Sequence, residues 1–318
     1  MTRQKKINIG ISTCLLGEKV RFDGGHKRNR FITDVLSDHF AWVPVCPEVE
    51  VGMSTPRESL RLVEDGKRVR MVAPKSGEDW TQRMEAYSKK RVQSLKDQQL
   101  RGYILKKDSP SCGMERVRLY NQHNMAERKG VGLYAKSLME AYPNLPVEEE
   151  GRLQDPRLRE NFITRVFAYD RWCNLRAQNP QPKDLVNFHT AHKMLLLAHS
   201  EPVYRDMGPL VAQAGSMEFE SLLDQYEEKL MSALKAVASP KRHANVLYHL
   251  AGYLKEHLTH DEKQELLNAI EEYRLNWVPL ITPLTLMQHH FRKLRHTWVD
   301  KQVYLNPFPR SLALRSFL

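Results

Sequence analysis

Three apolar, β-branched runs in the first half of the chain each lead into a cysteine. Residues 7–13 run into Cys14, residues 40–45 into Cys46, and residues 102–105, through the loop 106–111, into Cys112. Such runs read as strands, and the stretches between them carry helical periodicity. Alternating strand and helix signals specify an α/β domain with a parallel sheet. In an open sheet of that kind, ligands bind beyond the carboxyl ends of the strands. The alternation therefore predicts that three thiols far apart in sequence meet at one edge of one sheet. Three unrelated buried cysteines are the alternative, since free Cys is often buried.

The pattern predicts further elements around that frame. A Gly-rich loop covers 16–25 and a helix 27–39. A β-hairpin pairs 59–63 with 68–72, and helices follow at 79–98 and 132–140. Pro143, Pro146, the acidic run Glu148, Glu149, Glu150 and then Gly151 mark a junction. Beyond it helical periods dominate, over 157–176, 183–199, 203–213, 219–237, 242–258, 261–272 and 283–295. Asp184 and Asp261 are the expected N-caps. The fold class is α/β: a small Rossmann-like, parallel-sheet N-terminal domain over residues 1–150, then an all-α helical C-terminal domain over 151–318.

The length of 318 residues is enough for two domains. No apolar run approaches the ~20 residues of a membrane span. The basic start Met1-Thr2-Arg3-Gln4-Lys5-Lys6 leads into a strand rather than a secretory signal. These features predict a cytoplasmic protein with no membrane partner. Four cysteines do not make a disulfide scaffold in a chain this long, and a reducing compartment favours metal binding or catalysis by thiols. The formal net charge of +11 is shared by both halves. It fits an anionic ligand such as a nucleotide or RNA, or simply a basic surface.

The spacing of Cys14, Cys46 and Cys112 lacks the short paired spacing of a structural zinc site and the compact run of a ferredoxin. Three converging thiolates without a fourth make a soft metal site with an open position. Cys173, within a helical stretch of the other half, reads as a core residue. Polar companions flank the three thiols: Ser12 before the first, Glu48 two positions after the second, Ser109 and Ser111 before the third. A carboxyl beside a bound substrate serves as general acid or base, and hydroxyls donate to a developing anion. The same residues also serve as caps and turn hydroxyls. Glu48 has no cationic neighbour close in sequence. Arg21, Asp23, Gly24 and Gly25 of the first loop are expected to hold a base edge or a phosphate.

Those residues also carry a resemblance. Ser12-Thr13-Cys14-Leu15-Leu16-Gly17, Val20-Arg21-Phe22-Asp23-Gly24-Gly25, Cys46-Pro47-Glu48 and Ser109-Pro110-Ser111-Cys112-Gly113 together resemble the thiouracil desulfidase (TudS) family over about residues 6–145. The resemblance implies a 4Fe–4S cluster held by Cys14, Cys46 and Cys112, with one iron free of protein ligands. It implies removal of sulfur from a small thiolated pyrimidine without net redox change, giving uracil and sulfide, with Glu48 and Ser109 as the acid/base pair.

The second half resembles the YbgA-like helical domain of unknown function through Phe188–Lys193, Leu197–Ser200, Asn245–Tyr253 and Gln302–Pro309. It brings no chemistry of its own. His189, His192 and His199 fall near one helix face, with His249 and His257 on another helix. They read either as a metal site or as polar packing and surface histidines. The aromatic and basic residues from Arg292 to Trp298 and from Lys301 to Tyr304 read as an RNA contact or as a solvated helix face. Two rivals to the desulfidase stay open: a protein directed at thiolated tRNA bases, and a non-catalytic cluster or metal sensor with a partner-binding helical domain.

Overall fold

The structure is a computed structural model that describes residues 6–66, 68–294 and 296–318. The basic segment 1–5, Lys67 in the expected hairpin turn and Arg295 lie outside the described residues. The chain divides into two units, one ending at Gln154 and one running from Asp155 to Leu318.

The first unit is built on a four-stranded parallel sheet. Its strands are β1 (Ile7–Ser12), β2 (Phe40–Val45), β5 (Gly102–Leu105) and β8 (Val147–Glu149), in the order β2-β1-β5-β8. Ile9, Ile11, Ile104 and Leu105 are fully buried within it, as strands covered on both faces require. A second sheet has the order β4-β3-β6-β7, from β3 (Arg61–Asp65), β4 (Arg68–Val72), β6 (Val117–Tyr120) and β7 (Ala126–Gly130). The predicted hairpin is the antiparallel pair β3–β4. The helices of this unit are the single turn α1 (Pro47–Glu50), α2 (Thr81–Ser94) and α3 (Leu133–Ala141). From β1 the chain passes to β2 on one side and later crosses back to β5 on the other. Chain order in the parallel sheet therefore reverses at β1, which puts the crevice outside the carboxyl ends of β1 and β5.

Two expectations are corrected here. The helix expected over 27–39 is two short turns instead, Phe31–Val35 and Leu36–Asp38. The stretch before them has no regular structure, with Lys27 N donating to Cys14 O at 2.9 Å and Asn29 N to Leu15 O at 3.0 Å. Those backbone bonds hold the segment against the turn that carries Cys14, and so compete with a helix. The acidic run read as a junction is strand β8 and its exit, with Glu148, Glu149 and Glu150 all buried. Each carboxylate has a donor there: Arg152 Nε for Glu148 at 2.6 Å, Met114 N for Glu149 at 2.7 Å, and Lys106 Nζ for Glu150 at 2.6 Å. Burial without those donors would cost several kcal/mol per charge.

The second unit is helical throughout its regular structure: α4 (Pro156–Arg176), α5 (Pro182–His199), α6 (Glu201–Ala212), α7 (Phe219–Lys235), α8 (Pro240–Ala251), α9 (His260–Arg274), α10 (Ile281–Leu294) and the short α11 (Thr297–Asp300). One apolar core runs through them, centred on residues such as Trp172, Leu230, Leu247 and Met287. Two cap assignments shift. Gln181 is the N-cap of α5 and Asp184 its N3 partner in a capping box, while Thr259 caps α9 with Glu262 as N3.

The histidines do not form one cluster. His189, His192 and His199 are buried and separately engaged, with Tyr226 Oη at 3.3 Å, Phe188 O at 2.7 Å and Ala236 O at 2.7 Å. His249 and His257 are exposed. His249 lies on α8 but His257 falls in the turn beyond it rather than on the same helix, so polar packing in α5 and surface placement elsewhere account for the set.

Candidate active site

All three N-terminal thiols line one cavity of about 400 Å³, in the crevice that the sheet topology predicts. Cys14 sits in a 3₁₀ turn, Thr13–Leu16, that continues directly from β1. Cys46 follows β2 and starts α1, whose Pro47 fills the first helical position. Cys112 lies in the loop after β5. Glu48, Ser109 and Ser111 line the same cavity.

The Cys112 loop is held by α3. The N–H groups of Leu133, Tyr134 and Ala135 have no partner within their helix. They donate instead to Pro110 O at 3.1 Å and to Ser111 O at 3.0 and 3.1 Å. Gly132 makes this approach feasible. A Cβ at that position would stand 2.5 Å from Ser111 O and 2.8 Å from Gly113 N, both backbone atoms. Within the loop, Ser109 Oγ accepts from Cys112 N at 3.1 Å and Ser111 N at 3.3 Å.

Burial pushes the Cys14 thiol up to about 11, with Lys106 and Arg21 pulling the other way. Burial likewise raises Cys46 and Cys112, and a hydrogen bond from Ser12 opposes it at Cys112. Ser12, expected to touch substrate, lines the cavity although it is largely buried, and its Oγ accepts from Lys106 N at 3.0 Å.

Arg21 lines the cavity, but Asp23, Gly24 and Gly25 are not among its walls. Asp23 pairs with Arg21 at 3.3 Å and accepts from Gly25 N at 3.0 Å. The bond to Arg21 and that amide hold its carboxyl below the usual range. The pair shapes the loop.

Glu48 is the centre of the polar wall. Its Oε1 accepts from Ser111 Oγ at 2.7 Å and from Ser109 Oγ at 3.4 Å, and the two hydroxyls lie 2.9 Å apart. Its Oε2 accepts from Arg57 Nη2 at 2.5 Å and Nε at 3.0 Å. The expectation that Glu48 lacks a cationic neighbour is thus corrected. Arg57 is brought in by the turn after α1, and its proximity has no signature in sequence beyond a lone arginine after Thr55-Pro56.

An all-sulfur donor set ringed by Arg21, Lys27, Arg57 and Lys106 fits an anionic iron–sulfur cluster better than a hard cation. Among the described residues no three His, Cys, Asp or Glu side chains are gathered closely enough to hold one metal ion. Ligands to separate irons of a cluster stand farther apart than ligands to one ion. Cys173 lies in α4, outside this cavity.

Comparison with known proteins agrees with this division. A family model described as 2-thiouracil desulfurase matches residues 9–150, and one described as a protein of unknown function (DUF1722) matches residues 193–309. The uncharacterized protein YbgA of Escherichia coli (strain K12) is 31% identical over 160 residues, covering 50% of this chain and 95% of that protein. The uncharacterized protein YbbK of Bacillus subtilis (strain 168) is 34% identical over 110 residues, covering 33% of this chain and 72% of its own length. A solved structure of the 4Fe–4S-dependent thiouracil desulfidase TudS is 30% identical, covers 48% of this chain and 94% of that one, and superposes with a TM-score of 0.38. The chain therefore belongs to the 2-thiouracil desulfurase family through its first half and to the DUF1722 family, with YbgA among its relatives, through its second.

Proposed function

We propose that the first unit is a 4Fe–4S-dependent desulfidase that converts a thiolated pyrimidine such as thiouracil into the oxygenated base and sulfide. The observation that carries this reading is the single cavity where Cys14, Cys46 and Cys112 meet Glu48, Ser109 and Ser111. Cys14, Cys46 and Cys112 would hold the cluster, and its open iron would supply a sulfur-seeking Lewis acid that weakens the carbon–sulfur bond.

The chain's own groups handle the water. A water molecule adds its oxygen to the thiocarbonyl carbon, the carbon–sulfur bond breaks, and both water protons leave with sulfur as hydrogen sulfide. No electrons are exchanged. Glu48, ion-paired with Arg57, enters as the proton acceptor. Ser111, bonded to Oε1 at 2.7 Å, and Ser109, within 2.9 Å of Ser111 and 3.4 Å of Oε1, pass the proton between water, carboxylate and departing sulfur. Free thiols of this kind suit the reducing cytoplasm, and no helix among the described residues is long and apolar enough to cross a membrane.

Anaerobic reconstitution, iron and sulfide analysis, and a thiouracil-to-uracil assay test the reading. A protein replete in iron that turns over no thiolated pyrimidine refutes it. A second reading places the same chemistry on a thiolated base within RNA. It is supported by the net charge of +11 and by the exposed Lys27 and Lys107 beside the cavity. Turnover of thiolated tRNA with a steep salt dependence, and slow turnover of the free base, would select it.

A further inference from the structure

We infer that Arg57 is the positioning residue that decides which oxygen of Glu48 handles the proton. The inference rests on the desulfidase reading and concerns how its polar wall is set. An ionised carboxylate offers about four acceptor directions, two on each oxygen. At Glu48 all four are used. Arg57 takes both directions of Oε2 through Nη2 and Nε, at 2.5 and 3.0 Å. Ser111 and Ser109 take those of Oε1. Two guanidinium nitrogens on Oε2 hold that oxygen, and the serine hydroxyls on Oε1 hold the other, so the two ends of the carboxylate are fixed together. With Oε2 occupied, Oε1 is the oxygen that exchanges a proton, and the route to it runs through the two serine hydroxyls.

Arg57 is itself fixed from every side. Its Nη2 also donates to Val20 O at 3.0 Å, and its Nη1 to Ser54 O and Thr55 Oγ1, each at 3.2 Å. Its backbone N donates to Phe22 O at 2.8 Å. The side chain of Arg57 is 7% exposed and that of Glu48 15%. A mobile surface pair could not set an orientation; this one is enclosed. The bonds to Val20 and Phe22 tie the carboxylate to the loop that brings Arg21 and Phe22 to the cavity, so the proton-handling group and that wall move as one body.

Lysine cannot reproduce the clamp. A single ammonium nitrogen cannot replace the two fixed nitrogens that close both directions of Oε2.

The test is a double-substitution cycle in the full-length, cluster-loaded protein: parent, Glu48→Gln, Arg57→Ala and the pair. Arg57→Ala is expected to keep its iron and its KM within about threefold while kcat falls about a hundredfold. Because Arg57 acts through Glu48, the double variant should be no slower than Glu48→Gln alone. Guanidinium ion added to Arg57→Ala should restore turnover at least tenfold, and should restore none in the double variant.

Multiplicative losses in the double variant, or Arg57→Ala within twofold of the parent, would overturn the inference. Should Arg57→Ala fail to hold iron, Arg57→Lys carries the same cycle, with an expected loss of about tenfold. A parent replete in iron but without turnover defeats the desulfidase reading instead. The clamp is then judged on the metal-free protein: faster amide exchange across residues 20–25 in Arg57→Ala supports it, and unchanged exchange refutes it.

Discussion

Acid should dismantle the helical unit by a mechanism that one substitution can isolate. His192 is buried in α5, 2% exposed. Its Nδ1 lies 2.7 Å from Phe188 O, an acceptor only, so Nδ1 carries the proton of the neutral ring. Its Nε2 has no partner, so a second proton would enter with nothing to receive it. Burial drives its pKa down to about 3 and that of His189 to about 4. Both groups are held neutral when folded, and the unfolded chain takes up their protons below about 6.5. The stabilisation is therefore complete above pH 6.5 and is lost as pH falls toward 4 and 3. For His192 alone the linkage amounts to about 3 kcal/mol between pH 7 and pH 4. Asparagine keeps a donor for Phe188 O and cannot titrate. It also removes the ring stacked on Phe188 at 3.9 Å, a cost that does not vary with pH. Urea unfolding of the full chain, followed by far-UV circular dichroism from pH 7 to pH 4, should show the parent losing about 3 kcal/mol more than His192→Asn. Parallel curves, within about 0.5 kcal/mol, would show that the ring already carries its second proton in the folded protein, and the argument from burial would fail.

Three further outcomes concern the cavity. Glu48→Gln should keep the cluster and lose turnover by about a hundredfold or more; uracil release within about twofold of the parent would make Glu48 structural. Serine at Cys14, Cys46 or Cys112 should abolish iron retention, whereas Cys173→Ser should leave it unchanged, as iron analysis of anaerobically prepared variants will show; iron lost only from the Cys173 variant would reverse the assignment. Gly132→Ala should displace the Cys112 loop, because its methyl would meet the Ser111 carbonyl at 2.5 Å. It should cost about 1–3 kcal/mol in thermal or urea unfolding and slow cluster loading; unchanged stability and loading would mean that the loop gives way freely.

The sequence made some of this plain and hid the rest for identifiable reasons. Helices α4, α5 and α8 each open with proline after a polar residue, Asp155, Gln181 and Ser239, a start signal that needs no tertiary context. The three thiols were legible because each follows an apolar strand, and the parallel topology does the rest. Strand β8 was not, because its glutamates look solvated until their donors, Arg152, Met114 N and Lys106, arrive from elsewhere. Strand β7, Ala-Glu-Arg-Lys-Gly, is a largely exposed edge without an apolar face, so period-two patterning had nothing to show. Arg57 was missed because its meaning is its contact with Glu48. In sequence it is one basic residue among many.

The buried acidic strand limits where this protein can be cut. Severing the chain between α3 and β8, where the prolines and glutamates invite it, would strip the edge strand from the parallel sheet. Lys106 would lose its carboxylate one residue beyond β5, on the wall it shares with the thiols, and Met114 N would lose its acceptor two residues past Cys112. A fragment meant to carry the thiol cavity alone has to keep every residue through Gln154, and a gene fusion or deletion that respects the apparent linker would disable the half it was meant to liberate.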